Sequence, residues 1–258
     1  MKFENTEVFN FEGALRGMRL PLQSHAKADS RYCIPNNCIQ CKYGGFQEPT
    51  DNPYSWQPCT GEDIDWEPYC IGENDMSLAQ RLVGAHSPHD KFLRQIFVST
   101  DVTASLALFK QFDQYKVGTV TDSQSTMHTL AKNPITMDMF DQTDYNPHLI
   151  VYEGHTYKID DLVEDLWDGL IHDLETLRQK YNETKDVRYW QELVRMLPES
   201  FLQKRHWTAN YAVVRNIYMQ RCKTPHKLGE WKAFGEWVQS LPYASQLLIY
   251  EGDKNEKT

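Results

Sequence analysis

No run of apolar residues in this 258-residue chain approaches the roughly 20 needed to cross a bilayer, so no membrane-spanning helix is expected. The opening residues, MKFENTEVFNFEG, lack the basic and apolar regions of a secretory signal, and a cytoplasmic location follows as the expectation. An excess of positive charge is missing too. Asp and Glu number 36 against 27 Lys and Arg, a formal net charge of −9 that opposes nonspecific attachment to nucleic acid or to an anionic membrane. No stable nucleic-acid partner is expected, although a local basic pocket for the phosphate of a mononucleotide is compatible with that balance. What is plentiful is material for a core. With 40% hydrophobic and 12% aromatic residues the chain can bury a large interior, at a length near the upper end for one domain, and a single domain over 1–258 is expected.

A second CxxC, which would complete a familiar zinc pattern, is also absent. Between residues 30 and 72 the composition shifts to Cys, Pro, Gly, Asn and aromatics without helical periodicity, marking an irregular insertion. It holds Cys33, Cys38, Cys41, Cys59 and Cys70, five of the six cysteines. The Cys38 and Cys41 spacing lets two thiolates grip one ion. With Cys33 and Cys59 they would close a structural zinc site, bracing a segment too irregular to have its own core. Unligated reduced thiols are the other reading; disulfides are disfavoured by the expected compartment.

Regular elements are expected on either side. Residues 8–20, VFNFEGALRGMRL, read as a strand running into a short helix, on which Arg16 and Arg19 share a face and either meet phosphate or form a solvated rim. Residues 75–85 read as an amphipathic helix capped by Asn74 or Asp75, with Met76, Ala79, Leu82 and Val83 as its apolar face and His86, Ser87 and Pro88 ending it. Residues 92–102 read as a strand, and 104–115 as a helix carrying Leu108, Phe109 and Phe112. The hydroxyl-rich stretch 118–128 is either a ligand-wrapping loop or a turn-rich connector. A long helix over 159–181 repeats Leu162, Leu166, Leu170, Leu174 and Leu177, and a shorter one covers 186–197. The lone histidines His155 and His172 are read as structural, and the charged tail 251–258 as lacking fixed structure.

The most informative stretch is 207–231, WTANYAVVRNIYMQRCKTPHKLGEW, where polar residues recur at positions that a core helix does not require. Helices are expected over 207–222 and 227–241, separated by Pro225. On the first, Asn210 and Arg221 would lie about three turns and roughly 16 Å apart on a stripe with Val214 and Ile217. A half-buried Arg is costly unless it meets an anion or a carboxylate. The stripe is therefore either an internal salt-bridge seam or one wall of an anion-binding site.

In their order, Leu197 and Pro198, Thr208 and Asn210, Asn216 and Arg221, then His226 and Glu230 resemble the C-terminal signature of the flavin-dependent thymidylate synthases, the ThyX family. A weaker match covers residues 78–82, then His86, Ser87, Pro88, Asp90 and Phe92, with Lys91 where the family has His. The shared order spans roughly residues 75–130 and 195–240. The Cys-rich insertion and the long helix are left as elaborations, as in a divergent phage or prophage branch. The resemblance implies an α+β fold, mostly helical with a central antiparallel sheet, assembled as a homotetramer in the cytoplasm (the host's, if phage-encoded). It implies FAD as cofactor, NADPH and methylenetetrahydrofolate as cosubstrates, and dUMP, a pyrimidine deoxynucleotide, as the acceptor of a methyl or hydroxymethyl group at C5. Arg221 would contact the base and stabilise its developing charge, and Asn216 would lie against the flavin. Asn210, His226, Gln114 and Lys116 would help hold the cofactor; Thr119, Thr121, Asp122, Ser123 and Ser125 would hold the substrate.

The family's motif RHRxxSxNExSxR is not kept. Residues 114–126 read QYKVGTVTDSQST, so Gln114, Tyr115 and Lys116 replace the Arg-His-Arg triplet, Thr119, Thr121 and Asp122 take the Ser, Asn and Glu positions, and Thr126 replaces the last Arg. Each lost charge-assisted hydrogen bond is worth about 1.5–3 kcal/mol, and neither Lys nor Thr reproduces Arg's fork. Lys116, Lys110, Arg16 and Arg19 are the candidates to supply the missing charge. The leading expectation is a ThyX-like transferase. The alternative is a ThyX-like nucleotide-binding or interaction protein without the chemistry; a zinc module that contacts nucleic acid fits the acidic balance least.

Overall fold

The computed structural model describes residues 1–32, 45–47, 56–58, 69–141, 150–152, 155–157, 160–224 and 226–252; Cys33, Cys38, Cys41, Cys59 and the tail from residue 253 lie outside these. In chain order the elements are β1 (Lys2–Phe9), α1 (Phe11–Arg19), β2 (Arg31–Tyr32), β3 (Gly45–Gln47), β4 (Trp56–Pro58), β5 (Tyr69–Cys70), α2 (Glu73–Gly84), β6 (Phe97–Ser105), α3 (Leu106–Phe112), β7 (Val120–Ser123), α4 (Thr126–Thr129), β8 (Ile150–Tyr152), β9 (His155–Tyr157), α5 (Asp160–Thr184), α6 (Val187–Met196), β10 (Leu202–Asn210), α7 (Tyr211–Arg221) and α8 (Glu230–Gln239). Strands β1, β6, β10 and β7 form, in that order, the expected central antiparallel sheet of an α+β fold. The pairs β2 with β5, β3 with β4 and β8 with β9 are separate two-stranded antiparallel ladders.

The helices expected over 104–115 and 227–241 are shorter, Leu106–Phe112 and Glu230–Gln239, and other boundaries differ in kind. Phe92 and Leu93 are both buried, which a one-sided strand's alternation does not allow, and they lie on a 3-10 turn over His89–Gln95. Strand β6 starts after it and buries Val98, Thr100, Val102 and Ala104 in strict alternation. The hydroxyl-rich stretch 118–128 is not all loop, since it contains β7 and α4. The helix expected from Trp207 starts only at Tyr211, because Trp207 and Thr208 belong to β10.

The chain divides into two compact units. The first is Met1–Asp101, Tyr115–Thr121 and His206–Thr258; the second is Val102–Gln114 and Asp122–Arg205. In the first, α1 buries Phe11, Ala14, Leu15 and Met18 at helical spacing, and α2 buries Met76, Ala79 and Val83. Helix α8 adds Trp231, Phe234, Trp237 and Val238. Phe3 stacks on Trp237 at 4.2 Å between centroids, and Phe11 meets both Tyr211 and Tyr243 edge-on. Burying each such ring contributes about 1.5–3 kcal/mol.

Neither Asn74 nor Asp75 caps α2. The cap is tertiary: the Asp29 carboxylate accepts the N–H of Asn74 at 2.8 Å and of Asp75 at 3.0 Å. The Asp75 side chain is instead buried against Arg19, whose Nε donates to it. Its second oxygen accepts from the backbone N–H groups of Asp29 at 3.1 Å and Ser30 at 3.0 Å. Arg19 is therefore neither a solvated rim residue nor available to phosphate, while Arg16 is exposed. Burial by itself raises the Asp75 carboxyl, but hydrogen bonds led by Ser30 and Arg19 outweigh it and hold the group below the usual carboxylate range.

The second unit is built on α5, a 25-residue helix, and α6, whose N-terminus is capped by the Asp186 side chain. Leu174 and Leu193 are fully buried with Leu130, Ile135 and Phe140, and Trp167, Leu170 and Leu177 pack around them. Leu166 leaves the expected stripe and is 64% exposed. Glu175 joins α5 to the chain before it, accepting from the Ile135 N–H at 2.9 Å and from Arg178 at 2.6 and 2.7 Å. The Arg178 hydrogen bonds hold its carboxyl down at about 2.

Two outcomes follow from these partners. Asp75→Ala leaves a buried guanidinium unpaired, so the protein is expected to lose about 3–5 kcal/mol in urea unfolding. For Glu175 the folded pKa is depressed, so its stabilisation is complete above the ordinary value of 4.5 and is lost as pH falls towards about 2. Unfolding midpoints measured across that window should fall less steeply in Glu175→Gln than in the parent.

Candidate functional site

Helix α7 begins where β10 ends, at Asn210. That residue is extended, with φ −125° and ψ 164°, and its Oδ1 accepts the Val213 N–H at 3.1 Å, the geometry of an N-cap. Asn210 is thus buried at a helix start rather than on the helix face shared with Arg221. Its amide nitrogen is matched by Gly118. That glycine has φ +80°, and a Cβ there would sit 2.7 Å from Asn210 Nδ2, so loop 115–119 approaches the helix start as only glycine allows.

The inward face of α7 buries Tyr211, Val214, Arg215 and Ile217. Arg215 is satisfied by backbone, donating to the Leu248 carbonyl at 2.7 Å; burial lowers the pKa of its guanidinium, with Asp90 and Glu251 acting against the shift. The outward face carries Asn216 and Gln220, while Arg221 continues the stripe of Val214 and Ile217 to the helix end, half-buried. These three form a directed chain through the loop. Arg221 Nε donates to the Tyr115 hydroxyl at 3.0 Å, that hydroxyl donates to Gln220 Oε1 at 3.0 Å, and Gln220 Nε2 donates to Asn216 Oδ1 at 2.8 Å. The guanidinium also lies 5.9 Å from the Tyr115 ring centre and 5.4 Å from that of Trp231. No ion pair joins Arg221 to a carboxylate of the described residues, so the internal salt-bridge seam is not what holds it.

His226 completes the group in an instructive way. Its Nδ1 accepts the Leu228 N–H at 3.1 Å, which in a neutral imidazole places the ring proton on Nε2. That Nε2 stands 3.2 Å from Arg221 NH1, a donor that cannot accept. Two N–H groups therefore face one another, and an acceptor oxygen between them would satisfy both.

The remaining residues singled out from the sequence are not all gathered here. The Thr119 hydroxyl is spent on its own loop, donating to the Tyr115 carbonyl at 3.0 Å. Lys116 and Thr121 are exposed. Gln114, Asp122, Ser123 and Ser125 belong to the second unit. Asp122, Ser123 and Ser125 are exposed there. Of the candidate cations, Lys110 is paired with Glu199 and Arg19 with Asp75, whereas Lys116 and Arg16 make no ion pair among the described residues. Among those residues no group of three or more His, Cys, Asp or Glu could hold a metal. Cys222 forms no disulfide, and burial pushes its thiol up to about 12. His172 is exposed on α5.

Sequence reasoning missed Tyr115, Gln220 and Trp231 as neighbours of Arg221. The only signal was negative, an aromatic residue where the ThyX motif has a charged triplet. Tyr115→Phe keeps the ring but removes the hydroxyl that links Arg221 to Gln220. It is expected to cost about 1 kcal/mol in thermal unfolding and to speed solvent exchange of the Arg221 Nε proton, read by NMR.

No protein-family model and no curated protein sequence matches the chain. Solved structures do. A crystal structure of thymidylate synthase X from Helicobacter pylori with FAD and dUMP is similar with a TM-score of 0.58 and 14% identity, covering 96% of this chain and 97% of that one. Another structure of the flavin-dependent enzyme ThyX from the same organism, complexed with FAD and dUMP, gives 0.58 and 14% over 98% and 100%. The chain therefore has a ThyX-like fold over nearly its whole length.

Proposed function

We propose that the chain is a ThyX-like flavin-dependent transferase that adds a one-carbon unit, methyl or hydroxymethyl, to C5 of dUMP. The observation that carries this reading is the pair of facing donors at Arg221 and His226, set among the rings of Tyr115 and Trp231 with no carboxylate of the described residues paired to the guanidinium. That is the complement of a planar heterocycle bearing carbonyl oxygens. The fold likeness to enzymes crystallised with FAD and dUMP supports it.

In this reading Arg221 and His226 hold a pyrimidine oxygen, and Arg221 stabilises the negative charge that develops on that oxygen as C5 is made nucleophilic towards the one-carbon unit. The residues present fit the base and the edge of a flavin. Asn216, whose amide is exposed and whose Oδ1 accepts from Gln220, and the half-buried His226 would be the residues of this group to hold the flavin. Asn210 acts mainly by fixing the helix start, since its Oδ1 is used as a cap. Lys116 is the exposed cation of this loop for a phosphate, with Thr119 and Thr121 beside it in sequence. The cofactor roles of Gln114 and the substrate roles of Asp122, Ser123 and Ser125 stand on the family resemblance alone. When bound, reduced FAD supplies the hydride, NADPH restores it, and methylenetetrahydrofolate donates the carbon. Assembly as a cytoplasmic homotetramer and a structural zinc on Cys33, Cys38, Cys41 and Cys59 are further parts of this reading.

One observation favours a second reading. Tyr115 stands in the position of the lost triplet and already occupies Arg221 Nε, as suits a nucleotide-binding protein without the redox step. Flavin retention separates the two. Purified protein that holds FAD stoichiometrically through gel filtration, and that binds dUMP with an affinity reduced roughly 10- to 100-fold in Arg221→Gln, supports the transferase. Binding of dUMP without FAD supports the second reading, and binding of neither overturns both.

A further inference from the structure

A second polar constellation lies away from Arg221, on the open face of the central sheet in the first unit. Ser99 and Asp101 are two apart on β6, so both project to the face opposite Val98 and Thr100. His206 reaches them from β10. Its Nδ1 is 2.9 Å from Asp101 Oδ1 and its Nε2 is 2.9 Å from Ser99 Oγ. An ionised carboxylate only accepts, so in the neutral ring the proton is on Nδ1, and Nε2 must accept the Ser99 hydroxyl proton. The other Asp101 oxygen accepts from Asn5 Nδ2 on β1 at 2.9 Å, which fixes the carboxylate. Side-chain exposures of 50% for His206 and 22% for Asp101 leave the group within reach of a reactant from solvent. Serine, base and orienting acid are thus connected atom for atom as in an activated-serine centre.

We propose that Ser99 is an activated nucleophile, with His206 as general base and Asp101 as the residue that orients it, taking an acyl group from an ester with a good leaving group. Ser99 Oγ forms a bond to the acyl carbon while its proton passes to His206 Nε2. The ester C–O bond breaks and the leaving oxygen takes that proton. Water then attacks the acyl-serine through the same nitrogen, releasing the acid and restoring the hydroxyl. Asn5 is a positioning residue that acts through Asp101. The setting also limits the substrate. Strand β6 is an inner strand, between β1 and β10, so its backbone N–H groups serve the ladders rather than an oxyanion. Each missing oxyanion donor costs about 100- to 1000-fold in rate, which restricts the centre to activated aryl esters and comparable electrophiles.

The test is covalent labelling of the full chain with a fluorophosphonate, in which a Ser99 Oγ–P bond forms, the P–F bond breaks, fluoride leaves and the hydroxyl proton goes to His206. Peptide mapping should place the adduct on Ser99. Labelling should vanish in Ser99→Ala and slow about 100-fold or more in His206→Gln. It should slow also in Asp101→Asn, where the amide allows the wrong imidazole tautomer, and stay unchanged in Ser77→Ala, an exposed serine of α2 outside the triad. Thermal unfolding of each variant separates lost reactivity from lost fold. No adduct on Ser99 in the parent, or an equal rate in folded His206→Gln, overturns the proposal.

Discussion

The position of Arg221 is decided three turns away, at the junction where β10 becomes α7. Asn210 closes the helix start with its side chain, and Tyr211, Val214 and Ile217 then bury one face. Once that face is committed to the core, the 3.6-residue period points Asn216 and Gln220 outward and leaves Arg221, seven residues after Val214, half-buried at the C-terminal end of the buried stripe. Loop 115–119 meets them there because Gly118 lets its backbone pass against the Asn210 amide. The site thus inherits its rigidity from hydrophobic burial and a single cap, not from strong contacts of its own.

How the chain satisfies its guanidinium groups sets Arg221 apart. Arg19 is closed by Asp75, Arg178 by Glu175, Arg205 by Asp113 and the face of Phe109, and Arg215 by backbone carbonyls. In each, a donor-rich cation meets a full acceptor. Arg221 has a phenol oxygen, two ring faces and an imidazole nitrogen already carrying a proton. A guanidinium offers five N–H donors, and this one is left with more of them than these neighbours can take. Burying a cation in that state is unfavourable without a ligand, which is why the arrangement reads as a site and the other four read as architecture.

The open sheet face follows a different logic. There the charged and polar groups are mutually satisfied, and what distinguishes them is direction: proton on Nδ1 towards Asp101, lone pair on Nε2 towards Ser99. Strand alternation puts Ser99 and Asp101 on one face without any motif in the sequence. Only pairing with β10 brings His206 between them.

Periodicity in the sequence was enough to determine most elements: the buried stripes of α1 and α2 and the helices α5, α6 and α7. It misplaced elements where neighbours overrode local pattern. Asp75 resembles a cap but is drawn inside by Arg19, and Trp207 resembles a helix start but is held in the sheet. The candidate site was legible in part, since Asn216, Arg221 and His226 lie within one short segment. Tyr115 was not, being 106 positions from the Arg221 it contacts. Propensity and amphipathic spacing are local and therefore written in the chain. Which donor meets which acceptor depends on distances that exist only after the core has packed, and that was left to the tertiary structure.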